Sequence, residues 1–188
     1  MSHSHDKTYI ASLGFSDPDR NTSEHDMACR YLSEKETVLK LVNIFGQIWQ
    51  DNCEWKKIVS SQEFPIEQKS GSFQRTIGFA DVVIDCKIST GEQKTIDEII
   101  IYQMKYLTAL IEVKIKKQSI NTAIRQLKFY QSYSSFSEII LATKFKISEQ
   151  EKMLLENEGI KHIFLGKNFE EYCNNIKENH KDAEMMEI

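Results

Sequence analysis

The sequence predicts an α/β fold with a mixed central sheet flanked by helices, on three observations. From Leu107 to Leu165, strand-like and helix-like segments alternate at lengths that imply parallel crossovers. Ahead of them stand two further strands separated by a polar turn. An amphipathic helical stripe precedes both. All 188 residues fit one domain. It is expected to comprise an N-terminal helical arm over 1–33, the main body over 34–176 and a mobile charged tail over 177–188.

Residues 1–22 read as irregular, because Asp17-Pro18 and Asn21 signal a turn and nothing before them is periodic. Tyr9, Ile10, Leu13 and Phe15 are apolar enough to dock on the body. A helical pattern begins at Ser23 and continues to about Gln50, with Val38, Leu41, Val42, Phe45, Ile48 and Trp49 as its apolar stripe. Ser33 and Glu36 fit a capping box that starts a second helix, and a single long helix is the alternative. Glu34 continues the stripe inward, four residues before Val38, and is a candidate catalytic acid.

Strands follow over 57–66 and 75–88, with 69–72 as their turn. In the second, Ile77, Phe79, Asp81, Val83 and Asp85 share one face, and Gly78, Ala80, Val82, Ile84 and Cys86 the other. Apolar residues on both faces predict a strand covered on both sides, with Asp81 central and Asp85 exposed near its end. Residues 95–102 read as a separate strand leading into the strand over 107–115. There Glu112 and Lys114 project together, while Ile111, Val113 and Ile115 point the other way. A helix from about Ser119 sets Gln126 and Tyr130 four apart on one face. Glu138–Thr143 is a short strand, and Ser148–Asn157 a helix with Ser148 and Glu151 as capping box and Gly159 past its end. A strand over 160–165 and a helix over 168–176 complete the body.

Composition narrows the function. Apolar residues make up 40% and charged residues 28%, an ordinary globular balance. No apolar run reaches the roughly 18 residues of a membrane span, and no signal pattern opens the chain, so a cytoplasmic location is expected. Cys29, Cys53, Cys86 and Cys173 are scattered, which predicts free thiols rather than a disulfide framework. His25 and Cys29 stand four apart on a helix as a metal site would require, but no second pair matches them and a packing role is expected. The net charge is −4, yet Lys105, Lys114, Lys116, Lys117, Arg125 and Lys128 face only Glu112 in their segment, a local excess suited to a phosphate backbone. Glycine-rich nucleotide loops and serine nucleophile elbows are absent.

A carboxylate and an ammonium inside a buried strand are costly unless paired or bound to something. Hydrolysing a phosphodiester requires charge neutralisation at phosphorus and a hydroxide-like nucleophile, and bound Mg²⁺ supplies both. Asp81, Glu112 and the carbonyl of Val113 are the oxygen donors such a hard cation takes. Lys114 would act at the attacking water, and Gln126 and Tyr130 would hold that water or a phosphate oxygen.

At these residues the sequence resembles the PD-(D/E)XK nuclease superfamily, with Asp81 in GFADVVI and Glu112-Val113-Lys114 in LIEVKI. The following QLKFY, Gln126 to Tyr130, is similar to the QxxxY motif of RecB-type helicase–nucleases and lambda-type exonucleases. The resemblance spans about Ser33 to Gly166. It implies a restriction-endonuclease-like mixed sheet and Mg²⁺- or Mn²⁺-dependent cleavage of nucleic acid, DNA above all. Asp81 and Glu112 would be metal ligands, Lys114 the catalytic lysine, and Glu34 the closest match to an acid that an N-terminal helix sometimes donates. A homodimer, or a component of a larger nucleic-acid-processing or defence system, is the implied setting. E-x-K alone carries little, since Glu54-Trp-Lys56, Glu67-Gln-Lys69 and Glu92-Gln-Lys94 repeat it. Only the triplet at Glu112 lies in an apolar strand, after a strand Asp and before Q-x-x-x-Y. Two departures stand out: no Pro precedes Asp81, and 31 residues separate Asp81 from Glu112, which requires an excursion over 89–106. The competing explanations are a buried Glu–Lys pair with unrelated Gln and Tyr, and a catalytically silent nuclease-like binding module.

Overall fold

A computed structural model of the chain describes residues 22–34, 36–38, 40–41, 54–96 and 99–186, with backbone only over 54–60, 88–96, 99–105 and 177–186. Helix α1 (Ser23–Ser33) starts where Thr22 accepts a hydrogen bond from the His25 amide, which satisfies one of the donors a helix start leaves over. It ends at Glu34, and helical backbone resumes at 36–38. The break falls where the sequence placed it, but Ser33 donates its hydroxyl to the Cys29 carbonyl at 2.7 Å, back along its own helix. Val38 and Leu41 of the expected stripe are buried, and its later members lie outside the described residues.

Strands β1 (Glu54–Ser70), β2 (Phe73–Ile96) and β3 (Ile99–Lys114) form an antiparallel meander. Gly71, at φ 59°, supplies the left-handed residue of the first turn. The excursion between Asp81 and Glu112 is a hairpin: β2 and β3 continue pairing past an irregularity at Ser89/Gln93 as far as Ile96 and Ile99. Residues 95–102 are therefore divided between the two strands and make no strand of their own. Helix α2 (Ile120–Gln131) carries the chain over to β4 (Glu138–Thr143), which pairs parallel with β3. Helix α3 (Glu149–Asn157) leads to β5 (Ile160–Phe164), parallel to β4. The capping box is formed, with Ser148 Oγ accepting from the Glu151 amide at 3.2 Å and Glu151 accepting from the Ser148 amide at 2.7 Å. That amide holds the Glu151 carboxyl below the usual carboxylate range. Helix α4 (Gly166–Met186) runs well past the expected stop at Ile176.

The result is an α/β fold on a five-stranded mixed sheet in the order β1-β2-β3-β4-β5. One face, with Ile84, Ile111, Val113 and Ile140, packs on Ala28 and Leu32 of α1 and Phe169 of α4. The other, with Ile66, Ala80, Leu110 and Leu141, packs on Ala123, Leu127 and Tyr130 of α2 and Leu155 of α3. Covered strands were expected, but the alternation along β2 is not strict. Ala80 and Val82, two residues apart, lie in opposite clusters. Between the pairs Gln62↔Val82 and Phe64↔Ala80, Glu63 stands opposite Asp81, and Glu63 has φ 48°. A left-handed residue breaks the pleat of β1 here, and opposite it β2 changes face between Ala80 and Val82. Asp85 is exposed, as expected, although it stands mid-strand because β2 continues to Ile96. No described helix is long and apolar enough to cross a membrane.

One edge of this sheet carries a titratable contact. Thr143 donates its single hydroxyl proton to the Phe145 carbonyl at 2.7 Å, so it accepts from His162 Nε2 at 2.8 Å. Burial, then the charge of Lys152, lowers the His162 pKa from 6.5. A folded-state value below the unfolded one leaves stability unaffected while both states are neutral, and removes it as pH falls through 6.5 toward the folded value. Between about pH 8 and about pH 5, urea unfolding should show His162→Gln losing less stability than the parent chain.

Candidate active site

Strand β3 brings the acid and the lysine into the interior together. Glu112 and Lys114 are 0% and 2% exposed, and Lys114 Nζ donates to Glu112 Oε1 at 2.9 Å. Two buried charges of this kind are tolerable because each compensates the other's lost hydration. Gln126, from the buried face of α2, donates to the same Oε1 at 2.5 Å and to the Tyr130 hydroxyl at 3.2 Å. A carboxylate only accepts, so Gln126 must turn its NH₂ group toward Glu112, and both amide hydrogens are then used. Tyr130 has room because Gly78 lies beside its ring, where a Cβ would fall 2.6 Å from Cε1. Lys114, Glu112, Gln126 and Tyr130 thus form one buried chain of hydrogen bonds; the sequence places the four at one site, and there Gln126 bonds to Glu112 and Tyr130 themselves.

Asp81 reaches the same point from β2. The register Val82↔Ile111, continued by one residue, sets Asp81 opposite Glu112. Its Oδ2 accepts from the Val113 amide at 2.8 Å, so the carboxylate is held against the peptide that joins Glu112 to Val113. The change of face at Asp81 turns it toward α1. There His25 Nε2 stands 3.3 Å from Oδ2, and Cys29 Sγ lies 3.7 Å from His25 Nδ1. His25, Cys29 and Asp81 are all buried, each offers a ligand atom, and these atoms lie within 4.8 Å of one another, a group that could hold a metal ion.

Glu34 does not join this centre. It is exposed at the C-terminal cap of α1, nine residues beyond His25 and so about 13 Å farther along the helix axis. Its carboxylate accepts from Tyr172 at 3.1 Å, and burial followed by that bond pushes the Tyr172 phenol up to about 12. In its place α1 delivers His25. The pair His25 and Cys29 is visible in the sequence, but its partner is no second local pair: Asp81 lies 56 residues beyond His25, on β2. Of the basic residues, Lys116, Lys117 and Arg125 are exposed beyond the end of β3 and on α2, while Lys128 is 3.4 Å from Glu158.

The chain matches no protein-family model, no curated protein and no solved structure.

Proposed function

We propose that the chain is a metal-dependent nuclease of the PD-(D/E)XK, restriction-endonuclease-like kind, hydrolysing phosphodiester bonds of DNA. One observation carries this reading: Asp81 and the Glu112–Val113–Lys114 triplet, 31 residues apart, meet at a single peptide amide in the interior. The mixed sheet with helices on both faces agrees with it. Residue chemistry fits a divalent cation. Asp81 and Glu112 are buried carboxylates on neighbouring strands, the oxygen donors that a hard divalent cation takes. Asp81, Glu112 and the Val113 carbonyl would hold Mg²⁺ or Mn²⁺, which when bound neutralises phosphoryl charge and acidifies a water.

The chain's own residues have separable tasks. Glu112 fixes the Lys114 ammonium, which offsets negative charge that builds on the phosphoryl oxygens. Gln126, bonded to both Glu112 and Tyr130, sets the carboxylate's orientation. Lys116, Lys117 and Arg125 supply a cationic approach for the phosphate backbone.

A second reading has an observation in its favour. Asp81 already accepts from Val113, and Glu112 from both Lys114 and Gln126, as a purely structural network in a silent binding module would. Metal dependence separates the two. With Mn²⁺ or Mg²⁺, the protein should cleave at least one of a panel of single-stranded, double-stranded and branched DNA and RNA substrates, and it should melt higher than with chelator. Asp81→Asn should lose both effects. Neither cleavage nor a metal-induced rise in melting temperature would leave the silent module standing.

A further inference from the structure

We infer that His25, Cys29 and Asp81 form a binding site for a transition-metal ion of the Zn²⁺ class, distinct in chemistry from the hard-cation site proposed above. The donor set argues for this. An imidazole nitrogen, a thiol sulfur and a carboxylate oxygen suit Zn²⁺, whereas Mg²⁺ takes oxygen and keeps its waters. Three protein ligands with one open position is also a Zn²⁺ arrangement.

Geometry agrees. Ligand atoms around a tetrahedral Zn²⁺ stand roughly 3.3–3.8 Å apart, given its bond lengths to N, O and S. Here His25 Nε2 is 3.3 Å from Asp81 Oδ2, and all three donors fall within 4.8 Å of one another. One ring nitrogen binds the ion, and Cys29 exchanges its 3.7 Å contact with His25 Nδ1 for the metal. The thiol proton leaves to solvent as the sulfur becomes a ligand.

Two elements hold the donors in place. His25 and Cys29 are one helical turn apart on the face of α1 that packs on the sheet, so both side chains point at β2. Asp81 arrives there because β2 changes face opposite Glu63. All three are at most 4% exposed, so water competes weakly for the ion. Asp81 belongs to both sites, so Zn²⁺ held by His25 and Cys29 engages the carboxylate that Mg²⁺ requires, and Zn²⁺ is an inhibitor of cleavage. That last consequence alone rests on the nuclease reading.

Co²⁺ is the probe, because a cobalt–thiolate bond absorbs in the near ultraviolet and a site of oxygen donors does not. Titration of the full chain should raise that band to a plateau at one equivalent. Cys29→Ala and His25→Gln should abolish or strongly weaken it, whereas Cys86→Ala should leave it unchanged. A parent chain with no band, or a band that survives Cys29→Ala, overturns the site. Should a variant not fold, X-ray absorption of the Zn²⁺-loaded parent chain decides alone. One sulfur at about 2.3 Å with nitrogen or oxygen ligands is expected. No sulfur, or more than one, contradicts the proposal. Neither readout depends on cleavage, so both test the site whether or not the chain cuts DNA.

Discussion

Lys114→Met is expected to destabilise the protein by about 3–5 kcal/mol and, under the proposed nuclease function, to abolish cleavage. The stability loss follows from what stays behind. Glu112 is fully buried, and its Oε1 would keep the Gln126 bond but lose the ammonium 2.9 Å away. A neutral donor does not replace a full positive charge in a medium that screens poorly. The double variant Glu112→Gln/Lys114→Met should recover much of the loss, because neither member of the pair is then left charged without the other and the two sites are in contact. Urea unfolding followed by circular dichroism measures both values. Recovered stability without recovered cleavage would separate the residues' chemistry from their structural contribution. A loss below about 1 kcal/mol for Lys114→Met would instead mark the pair as a solvent-screened one and remove the premise of the site.

That pair was legible in the sequence for a simple reason. Two charges two residues apart in an apolar strand admit few explanations, and Gln126 and Tyr130 at helical spacing supply matching partners. Local signals did well elsewhere too: Ser148 and Glu151 form their capping box, and Gly71 makes its turn. What stayed hidden depends on backbone geometry or on contacts between distant elements. TIDEIIIY reads as one strand because Asp97 and Glu98, the two residues between the end of β2 at Ile96 and the start of β3 at Ile99, include neither the glycine nor the asparagine that marks a tight hairpin turn. Helix α4 continues through residues with helical propensity but no apolar stripe, so periodicity stops before the helix does. The facing of Asp81 was misread because parity counting assumes an unbroken pleat, and Glu63 carries no residue-type signal for its left-handed backbone. With Asp81 turned to α1, His25 takes the place that Glu34 was expected to hold.

Gly78→Ala tests the other end of the hydrogen-bond chain, and the sign of the effect is itself informative. In an ordinary strand position, replacing Gly with Ala gains about 0.5–1 kcal/mol because the unfolded chain loses freedom. Here the added Cβ would sit 2.6 Å from Tyr130 Cε1, 3.0 Å from its hydroxyl and 3.1 Å from Cζ. Tyr130 is fully buried in the cluster with Leu127 and Ile66, so its ring cannot yield without displacing neighbours. Overpacking of that kind costs about 1–3 kcal/mol, which outweighs the backbone gain. Moving the ring also draws its hydroxyl away from Gln126, and Gln126 then holds Glu112 less firmly. Gly78→Ala should therefore lower the unfolding midpoint and, under the proposed nuclease function, lower cleavage with it. With Tyr130→Leu as background, the ring is gone and Gly78→Ala should become neutral or stabilising. Equal effects in the two backgrounds would mean that Gly78 and Tyr130 are not in contact, and that the hydrogen-bond chain ends at Gln126 with no support from the sheet beneath it.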